Sequence, residues 1–353
     1  MDPSPQQLPL IECVPNFSEG RDAETIAALA QAVASVEGVY LLHQDAGPDA
    51  NRTVLTFVGP PEAVIDAAFR AIQVAARCID MRRQQGAHPR LGATDVCPLI
   101  PLQHMSTHAL LPYAERLAQR VAQQLQIPVY LYEQSARAAH RTRLEQIRQG
   151  EYEGLAARML QPGWQPDYGP TQPNLQAGAT VIGVRDFLIA YNINLDTQDV
   201  AIAREIAGRI RQSGTQRLGP DGTRLHVPGL LAHVKAIGWY MEAYGCAQVS
   251  TNLTRYAATP LHRVYEAVSH LAQELGTRVT GSELIGLIPK QALLDTGYYL
   301  LHQDAEPTQV DESLVIDKAV RTLNLNTPTP VEPQARRLEY ALARARQQHT
   351  GKG

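Results

Sequence analysis

The chain has 353 residues, 44% of them hydrophobic and 19% charged, with a formal net charge of −3 at pH 7. This is ordinary globular composition, and the length suits two domains or two halves. Lys+Arg 32 against Asp+Glu 35 leaves no basic footprint for nucleic acid, and no apolar run approaches the roughly 20 residues of a membrane span. The first eight residues are Pro- and Gln-rich and lack a signal-peptide pattern, so a soluble cytoplasmic protein is expected. The cysteines, at 13, 78, 97 and 246, have neither zinc-site nor disulfide-framework spacing. Cys13 and Cys97 lie in apolar runs and read as buried thiols.

In chain order, a strand is predicted over 10–14, followed by a polar turn at 15–20 that carries Asn16 and Ser18. Asp22 is a good N-cap for a helix to about 36, with Ile26, Leu29, Ala30 and Val33 on one face, and Gly38 closes it. A strand over 39–42 leads into a loop rich in Gly, Pro and Asn that holds Asp45 and Arg52. The next strand spans 53–58, and Pro61 opens a helix to about 79. A strand over about 93–102, a helix over 107–125 and a strand over 128–132 come next. Residues 134–180 are mixed, Arg-rich and then Pro- and Gly-rich, and read as a loop or linker between halves. Apolar, strand-like sequence resumes at 180 and runs to 193, before a helix over 198–211 and a Gly/Pro break at 213–229. Strands near 231–240 and 246–253, a helix over 260–275 and a strand at 277–280 follow. Thr327-Pro328-Thr329-Pro330 then leads to a short Arg-rich helix and a tail over 346–353.

Each half thus reads roughly strand–helix–strand–strand–helix–strand. That order predicts an α+β fold of two ferredoxin-like α/β sandwich subdomains, at 1–185 and 186–345, facing each other across a ligand groove.

The stretch richest in chemistry is Gly86-Ala87-His88-Pro89-Arg90-Leu91-Gly92. Pro89 pushes His88 out of the α region, and the two glycines permit close backbone approach or positive φ. A titratable group at the mouth of a strand suits an active-site loop, although a turn histidine bonded to a backbone carbonyl explains these residues equally. Asp45 and Arg52 either form a surface ion pair or line a pocket. His104 and His108 are spaced i,i+4 but have no third ligand nearby, so a solvated helix start is favoured over a metal site. Phosphate-binding glycine loops and the Gly-x-Ser-x-Gly elbow are absent. Two further segments either line a groove or serve as plain linker and core strand. One is Gly169-Pro170-Thr171-Gln172-Pro173-Asn174-Leu175-Gln176-Ala177-Gly178. The other is Gly229-Leu230-Leu231-Ala232-His233-Val234-Lys235-Ala236-Ile237-Gly238.

Taken with Glu12-Cys13-Val14-Pro15-Asn16-Phe17-Ser18-Glu19-Gly20, Asp45-Ala46-Gly47-Pro48, Asn51-Arg52-Thr53, Asp95-Val96-Cys97-Pro98 and Gly150-Glu151-Tyr152-Glu153, the chain resembles the glutamate formimidoyltransferase family, the formiminotransferase portion of formiminotransferase-cyclodeaminase. Phe187-Leu188-Ile189-Ala190-Tyr191-Asn192-Ile193-Asn194, Gly238-Trp239-Tyr240 and Gln248-Val249-Ser250-Thr251-Asn252-Leu253 extend the resemblance across roughly 10–345. It implies transfer of a formimino group from N-formimino-L-glutamate to N5 of tetrahydrofolate in histidine degradation, with tetrahydrofolate as co-substrate and no metal. It implies His88 as the catalytic histidine and 169–178 and 229–238 as folate-contacting segments. Asp45 is expected to hold the imidazole tautomer and Arg52 or Arg90 to clamp a glutamate carboxylate, with Asn16 and Ser18 at the same strand ends. A homodimer is expected, with a separate cyclodeaminase as partner and neither nucleic acid nor membrane. Ala232-His233 and an insertion around 218–225 depart from the family pattern. Folate-dependent formyl transfer involving 5-formyltetrahydrofolate and a non-catalytic folate-binding protein are the alternatives on the same scaffold.

Overall fold

The computed structural model describes residues 8–48, 50–218, 223–302, 311–325 and 336–350. The expectations at 327–330 and for the last three residues of the 346–353 tail fall outside that set, as does the middle of the 218–225 insertion; residues 346–350 of that tail are helical, at the end of a helix from Leu338. The chain forms two compact units, one of Met1–Asp186 with Ala345–Gly353, the other of Phe187–Arg344. Among the described residues no helix is long and apolar enough to cross a membrane.

The first unit contains β1 (Leu10–Cys13), β2 (Asn16–Phe17), α1 (Ala23–Ala34), β3 (Tyr40–Gly47), β4 (Arg52–Gly59) and α2 (Pro61–Cys78). It continues through β5 (Thr94–Gln103), α3 (Thr107–Leu125), β6 (Val129–Leu131), α4 (Leu144–Ile147), α5 (Glu151–Met159) and β7 (Thr180–Val184). Its sheet runs β3–β4–β1–β5–β7–β6, with β2 continuing β1 between β4 and β5. All pairings are antiparallel except β5–β7 and β6–β7. Asp22 caps α1 by accepting from the Glu24 N–H at 3.1 Å, and Pro61 occupies the first turn of α2, as their residue types predict.

Because side chains alternate along a strand, this sheet has two apolar faces. Cys97 and Leu99 of β5 and Ile182 and Val184 of β7 join Leu29, Val64, Phe69, Ile72, Leu117 and Val121 of α1–α3 in the main core. Cys13 and Cys97 lie in that core as free thiols, their sulfurs 3.6 Å apart, and burial, then the contact itself, raises the Cys13 pKa well above its usual value. Val96 and Val181 point the other way, onto Ile147, Leu155 and Met159. Residues 134–180 are therefore no linker: α4 and α5 cover the second face of the sheet. Only Leu144, Ile147, Leu155 and Met159 carry that packing, across two short helices, too few for a helical period to emerge from a polar stretch.

The second unit contains β8 (Ile189–Leu195), α6 (Val200–Ile210), β9 (Thr215–Leu218), β10 (Arg224–Val227), β11 (Val234–Met241) and β12 (Cys246–Leu253). After these come α7 (Leu261–Glu274), β13 (Val279–Ile285), α8 (Lys290–His302), α9 (Glu312–Thr322) and the start of α10 (Leu338–Thr350), whose residues from Ala345 on are grouped with the first unit. Its main sheet is antiparallel in the order β11–β12–β8–β13, while β9 and β10 pair as a separate hairpin within the expected Gly/Pro break. Numbered within each main sheet, with β1 and β2 counted as one strand, strands two, three, one and four lie side by side both here and in β3–β4–β1–β5. One face of this sheet buries Tyr191, Ile193, Val234 and Val249 against α6–α9. The other holds a polar array in which Trp239 Nε1 donates to Gln248 at 2.7 Å and Gln248 donates to Asn194 at 2.7 Å and Glu283 at 2.9 Å.

Gly92 is where the 79–93 loop meets the sheet. A Cβ there would stand 2.2 Å from the Ala179 carbonyl oxygen and 2.5 Å from that of Ala177, both backbone atoms with little freedom to yield. Gly92→Ala is expected to cost about 1–3 kcal/mol by overpacking, read as a lower urea midpoint at an unchanged slope. A midpoint equal to the wild type would show that the 177–179 backbone can move aside.

Candidate active site

Three turns of the first unit are tied together side by side. Ser18, just past β2, is buried: its Oγ donates to the Gly92 carbonyl at 2.8 Å and its N–H to the Ala93 carbonyl at 2.9 Å. Asn51, at the mouth of β4, accepts from the Gly20 N–H at 2.9 Å and donates to the Gln85 carbonyl at 2.8 Å. Gly86 sits so close that a Cβ would be 2.3 Å from the Ala50 carbonyl oxygen. The 79–93 loop is thus held against the β3–β4 hairpin, and this brings His88 to Arg52.

Arg52 is the hub. Its Nε donates to Asn16 Oδ1 at 2.8 Å, its Nη1 lies 2.6 Å from His88 Nδ1, and its Nη2 pairs with Asp95 Oδ2 at 3.1 Å. Asp95, on β5 and 1% exposed, also accepts from the Leu91 N–H at 3.0 Å and from Arg148 Nε at 3.2 Å, while Arg148 Nη2 closes on the same Oδ2 that Arg52 uses. Burial alone would raise the Asp95 pKa; Arg148 and Arg52 outweigh it and hold the carboxyl below its usual range. Arg52 is lowered to about 10 by burial, against the pull of Asp95, and stays charged at neutral pH.

His88 is half-buried. Desolvation first, and the Arg52 cation second, lower its pKa to about 4, more than its contact with the Pro89 carbonyl at 2.8 Å restores. The imidazole is therefore neutral at physiological pH. Its Nδ1 stands between a guanidinium that can only donate and a carbonyl that can only accept. A proton on Nε2 satisfies Arg52; a proton on Nδ1 satisfies Pro89 and frees the Nε2 lone pair for a substrate proton.

Other expected residues stand elsewhere. Asp45 lies exposed in β3, which extends to Gly47 and turns the expected loop into a hairpin, with Asp45 opposite Val54. Among the described residues no hydrogen bond joins Asp45 to His88, and the carboxylate on Arg52 is Asp95. Arg90 is buried with all five N–H donors engaged, by Gln84 Oε1, the Gln84 carbonyl, Glu151 and both oxygens of Glu153, at 2.7–3.1 Å. In segment 169–178, Asn174 Oδ1 accepts from the N–H groups of Gln176 and Ala177 at 3.1 and 2.9 Å, and Ala177 and Gly178 are buried. The main-chain N–H groups of Thr171, Gln172 and Leu175 have no partner among the described residues. Segment 229–238 belongs to the second unit, where Leu230 and Leu231 donate to the end of α6 and Val234 through Gly238 form the first half of edge strand β11. His104 precedes α3 with φ 51° and only His108 lies on the helix, so they share no helical face; among the described residues no group of three His, Cys, Asp or Glu could hold a metal ion.

Sequence reasoning missed two members of the site. Asp95 carried a usable signal, since an acid in an otherwise apolar strand demands a buried cation. Arg148 carried none, being one of many arginines in a stretch without a period.

A neutral histidine held against a buried Arg–Asp–Arg cluster, in a two-unit α+β chain, marks a candidate enzyme site rather than a plain scaffold contact. Comparison with known proteins narrows the class. A family model described as the formiminotransferase domain, N-terminal subdomain, matches residues 10–185, and one described as the formiminotransferase domain matches 190–343. The chain is 38% identical over 296 residues to the glutamate formimidoyltransferase of Streptococcus pyogenes serotype M1, covering 84% of this chain and 94% of that protein. It is 41% identical over 296 residues to that of Thermoplasma acidophilum, covering 83% and 93%. Against the formimidoyltransferase-cyclodeaminase of Gallus gallus it is 45% identical over 343 residues, 97% of this chain and 61% of the other. The chain thus spans about three fifths of the longer relatives it matches. This protein belongs to the formiminotransferase family.

The His88 titration tests the electrostatics directly. Followed by NMR, its midpoint is expected near 4, and Arg52→Gln should raise it toward the ordinary value of 6.5 by removing the cation. Unfolded chain binds this proton near 6.5, so the group's stabilising share is full above that pH and is lost as pH falls toward 4. A wild-type midpoint at 6.5 would refute the proposed burial and cation effect.

Proposed function

We propose that this chain is a glutamate formimidoyltransferase, moving the formimino group of N-formimino-L-glutamate to N5 of tetrahydrofolate in histidine degradation. The observation that carries the reading is a neutral His88 on the Arg52–Asp95 pair in a member of this family. The N5 lone pair attacks the formimino carbon, and His88 Nε2 takes the N5 proton as the new C–N bond forms. The protonated imidazole then returns a proton to the glutamate nitrogen as its bond to that carbon breaks. Neither oxidation nor a metal is needed to balance these steps. General base work of this kind contributes about 10²–10⁴-fold.

The finer architecture belongs to the same proposal. Both units are ferredoxin-like layers, a reading supported by the shared two–three–one–four strand order, and they are the subdomains 1–185 and 186–345. Folate is proposed to touch 169–178 and 229–238. The partnerless N–H groups of Thr171, Gln172 and Leu175 suit the polar edge of a pterin, and the polar face with Trp239 and Gln248 suits a groove wall better than a second core. A cytoplasmic homodimer is the form proposed.

Purified protein given N-formimino-L-glutamate and tetrahydrofolate should yield 5-formiminotetrahydrofolate, detected as the methenyl chromophore after acid. His88→Ala should lower kcat by about 10²–10⁴-fold. Turnover with a formyl donor alone would shift the reading to formyl transfer, and folate binding without turnover would leave only a binding protein.

A further inference from the structure

We propose that Arg148, with Arg52, seats the α-carboxylate of the acidic donor beside His88, and that this anion draws Arg52 off Nδ1 and so selects the His88 tautomer with a free Nε2. The inference rests on the donor being a formimino amino acid, as proposed above.

The charges do not balance without a ligand. Arg52 and Arg148 converge on one oxygen of a single carboxylate, Asp95, and the adjacent imidazole is neutral. The groups facing His88 are Arg52 from β4, Asp95 from β5, Arg148 from the α4–α5 junction and the Pro89 carbonyl. Glu151 and Glu153, the nearest other acids on α5, are 41% and 64% exposed and already bonded to Arg90. One positive charge is left over. Among the described residues Arg148 Nη1 makes no hydrogen bond, while its side chain is 14% and that of Arg52 12% open to solvent. Two guanidiniums with free N–H groups around a shared acid form the forked geometry that carboxylates take up. Arg90, the other expected clamp, has no donor left to offer.

The coupling follows from the competition at Nδ1. With Arg52 Nη1 turned to a carboxylate, Nδ1 keeps only the Pro89 carbonyl and must carry the proton, so the lone pair moves to Nε2. Anionic charge beside the ring also opposes the depression of its basicity. The base is thereby armed when the donor arrives. A folate glutamyl tail carries the same group, but the p-aminobenzoyl unit separates it from N5, whereas the donor's α-carboxylate is bonded next to the reacting nitrogen.

The test uses full-length protein with ¹⁵N-labelled histidine, His88 being assigned by its loss in His88→Gln. L-Glutamate, the donor's leaving product, should move the His88 Nε2 resonance toward the unprotonated position in the wild type and leave it still in Arg148→Gln. A tetrahydropterin lacking the glutamyl tail should not produce that shift. In turnover, Arg148→Gln should raise the donor KM by about 10–100-fold, with the tetrahydrofolate KM within about twofold. Arg148→Lys should recover part of the loss, and both variants should melt within a few degrees of wild type. Transfer by the wild type with no resonance shift, or a tetrahydrofolate KM that rises as much as the donor KM, overturns the inference and leaves the function standing. No transfer, with the shift intact, overturns the function and leaves the anion seat.

Discussion

Everything at the site depends on one buried carboxylate. Asp95 is almost wholly removed from water, and an ion in that position is tolerated only because two guanidiniums and a backbone N–H meet it. The same contacts fix where Arg52 points, and Arg52 decides what His88 can be: a neutral ring, close to a cation, with two groups competing for one nitrogen. Breaking one partner of such a cluster costs about 3–5 kcal/mol, since the remainder is then charged, buried and unmatched. The cluster is thus both a structural demand and the source of the site's electrostatics.

The fold supplies those partners from four places. Arg52 opens β4, Asp95 is the second residue of β5, His88 rides the loop between α2 and β5, and Arg148 follows α4. Strand pairing sets two of these positions: Asn16 lies opposite Val54 on β4 and Val96 on β5, so the start of β4 and the start of β5 flank β2. The ties of Ser18 to Gly92 and of Asn51 to Gln85 set the third, the His88 loop. The fourth comes from a segment that packs on the far face of the sheet through Ile147, Leu155 and Met159. Its role in the site and its role in the core are the same act of packing, because the apolar side chains that dock it also deliver Arg148 to Asp95.

Legibility differed sharply between parts of the chain. Helices α1 to α3 were readable because caps, Pro61 and apolar spacing agree with the packing they meet. Strand β3 ran past its predicted end, since hairpin pairing with β4 overrode the Gly, Pro and Asn content of the turn. Helix α8 escaped notice for a different reason: Asp295, Thr296 and Gly297 interrupt its apolar residues at mid-length, so its period does not stand out. Helix α9 was missed although Asp311 caps it and Val315, Ile316, Ala319 and Val320 recur at helical spacing. His88 and Arg52 could be named from loop chemistry and resemblance; Asp95, an acid in an apolar strand, announces a buried cation but not which one, and Asp45 is near Arg52 in sequence whereas Asp95 is near it only in space.

By itself the amino-acid sequence determined the class of fold, the order of most elements, the family and the histidine proposed here as the base. These are local properties, carried by spacing, caps and short motifs within a few residues of one another. The tertiary structure alone decided that Asp95 rather than Asp45 holds Arg52, that Arg90 is consumed internally, and that Arg148 stands beside the ring. Those charge pairings join residues 43 to 63 positions apart, and partners at such separations are chosen by sheet register and by the packing of a polar insert, neither of which leaves a period in the chain.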